Sequence, residues 1–217
     1  MRDIRACIFD LDGVIVDTAS HHFVAWRQLA DELGVPFSIE DNEALKGVSR
    51  LDSLEYILHK GGLVLDPSTK VRLMERKNTH YLKLAGKTTP TDALPGVVEL
   101  MDTLKAQGVK VALGSSSKNA EMILTQLNLI DRFDALVDGN HITLSKPDPE
   151  VFVSGAKALG LAPEQCLVFE DAQSGIDAAN VGGFPVIGIG SPEVLSKAVA
   201  VIAGFEDYTW EDIIALL

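Results

Sequence analysis

Asp10 and Asp12 stand two positions apart, directly after the short apolar run CIF near the start of the chain. In an extended chain alternate side chains lie on the same face, so both carboxylates would point the same way. Two carboxylates this close repel each other unless a cation or a shared proton compensates their charge. The stretch CIFDLDGVIVDT therefore indicates a site at which something must lie between the two acids.

Further polar side chains also follow predicted strands directly. They are Ser115 and Ser116 at the end of VALGSSS, Lys146 in LSKPDPE, and Glu170 and Asp171 at the end of CLVFED. If the strands are parallel, all of these groups converge at one edge of the sheet. Oxygen ligands without a paired histidine or cysteine suit a hard cation, and Mg²⁺ fits best.

The acids, the lysine and the serines at the strand ends together predict an enzyme that transfers a phosphoryl group. A metal would neutralise the acids and bind a phosphate, with Lys146 as a second positive contact. Ser115 and neighbouring backbone N–H groups could hold the remaining phosphoryl oxygens. Asp10 would then attack phosphorus to form an aspartyl-phosphate, while Asp12 gives a proton to the leaving group and takes one from the next nucleophile.

The elements that position these groups alternate between strands and helices. Apolar runs predict strands at Ala6–Phe9, 109–113, Ala135–Val137, 165–169 and 185–189. Helical spacing of apolar residues predicts helices at 96–107, 119–127 and 149–159 between those strands. This order is typical of an α/β protein with a Rossmann-like parallel sheet and helices on both faces.

The segment 17–90 interrupts that alternation. It shows helical patterns at 23–33, 53–59 and 69–84 and little strand character. We therefore expect a small helical cap domain at 17–90, inserted into a catalytic core made of 1–16 and 91–217. Linkers near 14–17 and 87–94 would join the two parts.

Composition and charge argue against nucleic acids and membranes as partners of this protein. The formal net charge of −12 argues against a nucleic-acid partner, because such proteins usually carry a basic face. No apolar run approaches the length of a membrane span, and the N-terminus is charged where a secretory signal is apolar. We expect a cytoplasmic protein without a membrane partner, in which Cys7 and Cys166 are reduced core thiols.

Four segments resemble, in order, the four motifs of the haloacid dehalogenase superfamily: FDLDGVIVDT, GSSSKN, SKPDPE and FEDAQSGIDAA. As a set these motifs are highly specific, whereas Asp-x-Asp alone is weak. The resemblance implies that Asp10 is the nucleophile, Asp12 the general acid/base and Lys146 a phosphate contact. It also implies one Mg²⁺ per active site, with the ligand set Asp10, Asp12, Glu170 and Asp171.

Within that superfamily, DTASHHFVAWRQLADELG, NEALKGVSRLDSLEYIL and ERKNTHY resemble the β-phosphoglucomutase family. That resemblance implies that Arg50 holds the phosphate that is not being transferred, and that Thr18 and His22 help to position Asp12. The matching substrate- or phosphate-binding positions are Thr18, His22, Trp26, Lys46, Gly47, Val48, Ser49, Arg50, Lys77, Ser115, Ser116, Ser117, Lys118, Asn119 and Lys146.

The resemblance implies conversion of β-glucose 1-phosphate to glucose 6-phosphate through a glucose 1,6-bisphosphate intermediate. Small sugar phosphates are then the partners, and we expect a monomer. A mutase needs two phosphate sites, and an arginine in a glycine-containing loop suits the second. Ser116 stands where the family can have a smaller residue, a departure that could change the sugar accepted.

Three alternatives stay open at this level. A sugar-phosphate phosphatase of the same superfamily would need only the first phosphate site and would admit water to the aspartyl-phosphate. A mutase for another sugar 1-phosphate would keep the same catalytic groups. A binding module on an inactive core is disfavoured, because all the acids and Lys146 are present.

Overall fold

The computed structural model describes residues 3–217. Within them are six strands: β1 (Ala6–Phe9), β2 (Lys110–Gly114), β3 (Ala135–Val137), β4 (Cys166–Glu170), β5 (Val186–Ile189) and β6 (Ala200–Ile202). They form one sheet in the order β3-β2-β1-β4-β5-β6, and each neighbouring pair is parallel. This order confirms the predicted Rossmann-like α/β fold.

Nine α-helices lie in the described part of the chain. They are α1 (Ala19–Glu32), α2 (Ile39–Ala44), α3 (Arg50–Lys60), α4 (Pro67–Ala85), α5 (Val97–Ala106), α6 (Ala120–Gln126), α7 (Glu150–Leu159), α8 (Gln173–Val181) and α9 (Trp210–Ala215). Helices α5, α6 and α9 contribute to the hydrophobic cluster on one face of the sheet, and α7 and α8 to the cluster on the other. Because both faces are covered, all four residues of β1 are buried.

The two cysteines illustrate this layering. Cys7 on β1 belongs to one hydrophobic cluster, and Cys166 on β4 belongs to the other. Both are free and buried, which confirms the prediction of two core thiols.

The predicted elements match observed ones within a few residues, but four observed elements were omitted, namely β6, α2, α8 and α9. The strand β6 is only three residues long and lies at the edge of the sheet, so its apolar signal is short. Helix α2 has six residues and begins at a capping box between Ser38 and Asp41 rather than at an apolar stripe. Neither element was predicted from the sequence.

Helices α1 to α4 all lie between β1 and β2 in the chain and pack around a hydrophobic cluster of their own. Leu54 and Ile57 of α3 are fully buried in that cluster, together with Trp26 of α1. Asp41 of α2 is also buried and accepts hydrogen bonds from Lys60 and Tyr56 of α3. The Lys60 bond, followed by the capping backbone N–H, lowers the pKa of Asp41 below its usual range.

Among residues 3–217 we find no helix with both the length and the apolar character needed to cross a bilayer.

Replacement of Leu54 by alanine should destabilise the helical segment far more than the same change at Leu51 of the same helix. Leu54 is fully buried, whereas 46% of Leu51 is exposed. We expect Leu54→Ala to lower the free energy of unfolding by about 2–5 kcal/mol, because a cavity remains in the cluster. Urea denaturation of both variants measures the difference, and equal losses would contradict the packing described here.

Candidate active site

The carboxyl ends of β1, β2 and β4 meet at one edge of the sheet, and the polar residues predicted there follow each strand. Phe9 at the end of β1 is in register with Leu113 on one side and Phe169 on the other. Asp10 follows β1 and donates its backbone N–H to the Phe169 carbonyl at 3.0 Å. Ser115 follows β2, and Glu170 is the last residue of β4. The structure therefore brings these groups together.

Lys146 lies at the centre of this edge and is fully buried. Its Nζ donates to Asp10 Oδ1 at 2.5 Å and to Glu170 Oε2 at 2.8 Å. Burial alone would lower the pKa of Lys146, but the carboxylates of Asp10 and Glu170 raise it above its ordinary value. Lys146 is therefore a permanent positive charge that touches the expected nucleophile directly.

Three carboxyl groups exceed the charge that the two lysines in contact with them, Lys146 and Lys46, can balance. Oxygen atoms of Asp10, Glu170 and Asp171 all lie within 4.8 Å of one another. Burial, and then the charge of Asp10, raises the pKa of Asp171 to about 6. Burial also raises the pKa of Glu170, and Lys146 offsets part of that rise. A buried set of oxygen donors with excess negative charge fits Mg²⁺.

The carboxylate of Asp12 lies outside that three-residue group. It accepts a hydrogen bond from the Thr18 hydroxyl, just before α1. Burial, and then the charges of Asp10 and Asp171, raises the pKa of Asp12 to about 8. A carboxyl group with such a pKa carries its proton at neutral pH, as a general acid must.

Two glycines, neither of them among the predicted site residues, let the backbone approach the acids closely. Gly13 has a φ of +76°, and a Cβ there would lie 2.2 Å from Asp171 Oδ2. A Cβ on Gly175 would lie 2.0 Å from the Glu170 carboxyl carbon. The available signal is the glycine in DLDG and in QSG, each close to an acidic motif.

Helices α1 and α4 contribute a buried basic pair. Lys77 Nζ lies 2.8 Å from His22 Nδ1 and 4.6 Å from the centre of the Trp26 ring. Burial, and then the charge of Arg50, lowers the pKa of Lys77 to about 7. Burial also lowers the pKa of His22 well below its usual value. Lys77 and His22 therefore carry little positive charge at neutral to basic pH. An anion bound nearby would raise the pKa of Lys77 and favour its protonation.

The loop between α2 and α3 carries four of the predicted binding residues, and a fifth, Arg50, follows it directly. The Lys46 ammonium lies 3.2 Å from Asp171 Oδ2 and 3.0 Å from Glu43 Oε2. Ser49 is the N-cap of α3, and its hydroxyl accepts from the Asp52 N–H at 3.1 Å. Val48 and Arg50 are half-buried, and Arg50 begins α3. This loop therefore connects the helical segment with the acidic edge of the sheet.

The loop after β2 faces the helical segment as well. The Ser117 N–H donates to Ser115 Oγ at 3.1 Å, and the Asn119 N–H donates to Ser117 Oγ at 3.2 Å. The Asn119 side chain donates to Asn78 Oδ1 of α4 at 3.0 Å. Lys118 is exposed at the rim. The serines thus shape the loop as well as offering polar groups to a ligand.

A cavity of about 460 Å³ lies between the sheet edge and the helical segment. It is lined by every predicted site residue except Thr18, Lys146 and Glu170, which lie buried behind its wall. Two buried polar residues that also line it, Asn42 and Ser53, were not predicted. Both lie within helical stretches, where a polar residue carries no separate signal in the sequence.

The chain is similar in sequence to a known enzyme family and to several of its characterised members. The model of the haloacid dehalogenase-like hydrolase family matches residues 4–183. The chain is 43% identical to a β-phosphoglucomutase of Bacillus subtilis, over 96% of the chain and 93% of that relative. It is 34% identical to a fructose-1-phosphate phosphatase of Escherichia coli, over 84% of the chain and 94% of that relative.

A solved structure shares the fold over nearly the whole chain. The crystal structure of a β-phosphoglucomutase from Clostridium difficile superimposes with a TM-score of 0.95 and is 40% identical. The match covers 98% of this chain and 96% of that one.

Binding of a dianion in the cavity should draw a proton onto Lys77. At pH 8 a lysine with a pKa of about 7 is mostly neutral, and a nearby dianion raises its pKa. We expect sulfate, which does not titrate in this range, to bind with uptake of up to about one proton. Calorimetry in buffers of different ionisation enthalpy measures this uptake.

The matched variants are Lys77→Met and Lys83→Met, the second at an exposed position of the same helix. Proton uptake should fall in Lys77→Met and persist in full in Lys83→Met, because Asp12, with a pKa of about 8, can still take up part of a proton. A binding enthalpy of the unmodified protein that does not depend on the buffer would contradict the assignment.

Proposed function

The chain belongs to the haloacid dehalogenase-like hydrolase family, and we propose that it is a Mg²⁺-dependent phosphomutase. The reaction proposed is the interconversion of β-glucose 1-phosphate and glucose 6-phosphate through glucose 1,6-bisphosphate. The β-phosphoglucomutases of B. subtilis and C. difficile, which the chain matches over nearly its whole length, support this assignment.

One observation separates a mutase from a simple phosphatase, and it concerns Arg50. Arg50 is half-buried and lines the cavity, yet among residues 3–217 no carboxylate lies within 4.0 Å of its guanidinium group. The neighbouring Lys77 contacts a histidine instead of an acid. Cationic groups that face a cavity without an anionic partner favour a phosphate as the ligand.

The cavity therefore offers two ends to a bisphosphate. The first end is Asp10 with Lys146 and Ser115, where the phosphoryl group is transferred. The second end is Arg50, which holds the other phosphate. We propose that residues 17–90 are a cap domain, and that residues 1–16 and 91–217 are the catalytic core. The cap closes the cavity over the sugar and keeps water from the aspartyl-phosphate.

The first half-reaction transfers a phosphoryl group to Asp10. A carboxylate oxygen of Asp10 forms a bond to phosphorus while the phosphorus–oxygen bond to the sugar breaks, and Asp12 gives its proton to the departing sugar oxygen. Thr18, which donates to Asp12, keeps that carboxyl group in place. The positioning role of His22 stays a prediction, since its hydrogen-bond partner in the structure is Lys77. The ammonium group of Lys146 compensates negative charge as it shifts onto the phosphoryl oxygens.

The second half-reaction reverses these steps on another molecule. Asp12 takes the proton of the 6-hydroxyl group of β-glucose 1-phosphate, and that oxygen forms a bond to the phosphorus on Asp10. The bisphosphate so formed must bind again in the opposite orientation and return its 1-phosphate to Asp10, which leaves glucose 6-phosphate. This exchange requires that both ends of the cavity accept a phosphate.

We propose that one Mg²⁺ is held by Asp10, Glu170 and Asp171, whose oxygens cluster at the end of the sheet. When bound, the ion neutralises their excess charge and polarises a phosphoryl oxygen. The carboxylate of Asp12 accepts from Thr18, and we assign the proton transfer to it. Asp12 as a fourth ligand stays a prediction.

The remaining substrate-binding positions are assigned by their place on the cavity wall. Trp26, Val48 and Ser49 line it from the helical segment, and Ser117, Lys118 and Asn119 line it from the loop after β2. We propose that these residues contact the sugar. The monomeric state and the cytoplasmic location stay predictions.

A phosphatase that acts on sugar phosphates is the second candidate. The fructose-1-phosphate phosphatase of E. coli and a phosphorylated carbohydrates phosphatase of Thermotoga maritima are 34% and 32% identical to the chain. Such an enzyme would use the same nucleophile and would release free phosphate steadily. The products therefore distinguish the two functions.

Glucose 6-phosphate should form with little free phosphate when the protein receives Mg²⁺, β-glucose 1-phosphate and a trace of glucose 1,6-bisphosphate. We expect Arg50→Ala to lower kcat/KM for this conversion roughly ten- to a hundredfold, because a charge-assisted phosphate contact is lost. Hydrolysis of p-nitrophenyl phosphate, which has one phosphate, should change little. Phosphorus-31 NMR follows both products in one sample.

The control for this experiment is Arg27→Ala, which removes an exposed arginine from α1. It should leave the conversion unchanged. Accumulation of free phosphate without glucose 6-phosphate would overturn the mutase assignment and leave the phosphatase as the function of the site.

A further inference from the structure

Two serines of the sheet edge hold the loop between α2 and α3 by its backbone. The Ser116 hydroxyl, in the loop after β2, donates to the Gly47 carbonyl at 2.8 Å. The Ser174 hydroxyl, in the first turn of α8, donates to the Lys46 carbonyl at 2.9 Å. Two neighbouring carbonyls of one loop are therefore held by hydroxyls from two different elements.

These carbonyls have no backbone partner of their own. Helix α2 ends at Ala44, and in the turn that follows, the Lys46 N–H donates to Glu43 and the Val48 N–H to Leu45. Among the described residues no backbone N–H donates to the carbonyl of Lys46 or Gly47. A carbonyl past a helix end must find another donor, because removing it from water unpaired is costly.

The fit of this contact depends on Gly47. Its φ is +74°, and a Cβ at this position would lie 2.5 Å from Ser174 Oγ. The backbone can therefore lie directly on the α8 serine only because this residue has no side chain. The hydroxyls of Ser116 and Ser174 and the backbone of Gly47 therefore form one contact between the loop and the core.

The Ser116 contact also bears on what this residue can do for a ligand. A serine hydroxyl has a single O–H donor, and here that donor points to Gly47. Ser116 therefore does not donate to a phosphate while the loop is held. Its hydroxyl acts on the loop instead of on the transferred group.

We propose that Ser116 and Ser174 form a two-point catch that holds the loop 46–50 against the core while Asp10 carries the phosphoryl group. This proposal rests on the proposed phosphomutase function and deepens it. When the catch is engaged, Arg50, at the end of this loop and the start of α3, faces the same cavity as Asp10, and water is excluded. When it is released, both carbonyls return to water and the sugar phosphate can exchange. Both serines are positioning residues.

The variants Ser116→Ala and Ser174→Ala test the catch. Each should raise the fraction of turnovers that end in free phosphate roughly three- to tenfold, because an open loop admits water to the aspartyl-phosphate. The double variant should raise it further. KM for β-glucose 1-phosphate should rise, whereas inhibition by inorganic phosphate, which needs no second site, should keep its concentration dependence.

Hydrogen exchange provides a readout that does not depend on catalysis. Amides in peptides that cover residues 43–50 should exchange faster in both variants than in the unmodified protein. Ser154→Ala is the matched control, since Ser154 lies on α7, a helix that packs against β1, β2, β3 and α8. It should change neither the exchange nor the products.

The possible results separate the catch from the proposed function. Faster exchange at 43–50 together with more free phosphate would establish the catch. Exchange and product ratio that both match Ser154→Ala would overturn it, and so would faster exchange with an unchanged product ratio. If the unmodified protein makes no glucose 6-phosphate while its variants exchange faster, the serines hold the loop and the mutase function alone fails.

Discussion

Three carboxyl groups, two of them buried and the third partly buried, share the carboxyl end of the central strands with one buried ammonium group. Their unequal charge constrains the rest of the molecule. The parallel pairing of β1 with β4 brings Asp10, Glu170 and Asp171 together. Lys146 balances only part of that charge, although it touches two of the three acids. The site is therefore prepared for a divalent cation and for a substrate whose charge changes during the reaction.

The helical segment supplies the complementary half of that arrangement. Its basic groups Arg50 and Lys77 face the same cavity without acidic partners in the described chain, and burial holds the pKa of Lys77 near 7. The acids of the sheet edge and these basic groups thus face one cavity. A molecule with a phosphate at each end satisfies both, and closing the loop 46–50 over it completes the enclosure.

The parallel sheet and most of the acidic site could be predicted from the sequence, because the end of a buried strand is marked by a change from apolar to polar residues. A short apolar run followed by an acid placed Asp10 and Glu170 at the sheet edge, and the order of the elements predicted the parallel sheet. Contacts between residues far apart in the chain could not be predicted, because no local sequence pattern marks them. Ser174 looks like an ordinary residue in the first turn of a helix, and its bond to the Lys46 carbonyl spans two elements far apart in the chain. The Lys77–His22 contact likewise exists only because α1 packs against α4.

That Asp10 receives the phosphoryl group is tested most directly by trapping it there. The protein is mixed with Mg²⁺ and glucose 1,6-bisphosphate, quenched and reduced with borohydride, which converts an aspartyl-phosphate into homoserine. Peptide mass spectrometry should then find homoserine at position 10, and none should form in Asp10→Asn. Homoserine at another aspartate, or phosphate transferred to a serine or histidine with position 10 unchanged, would contradict the central role of Asp10.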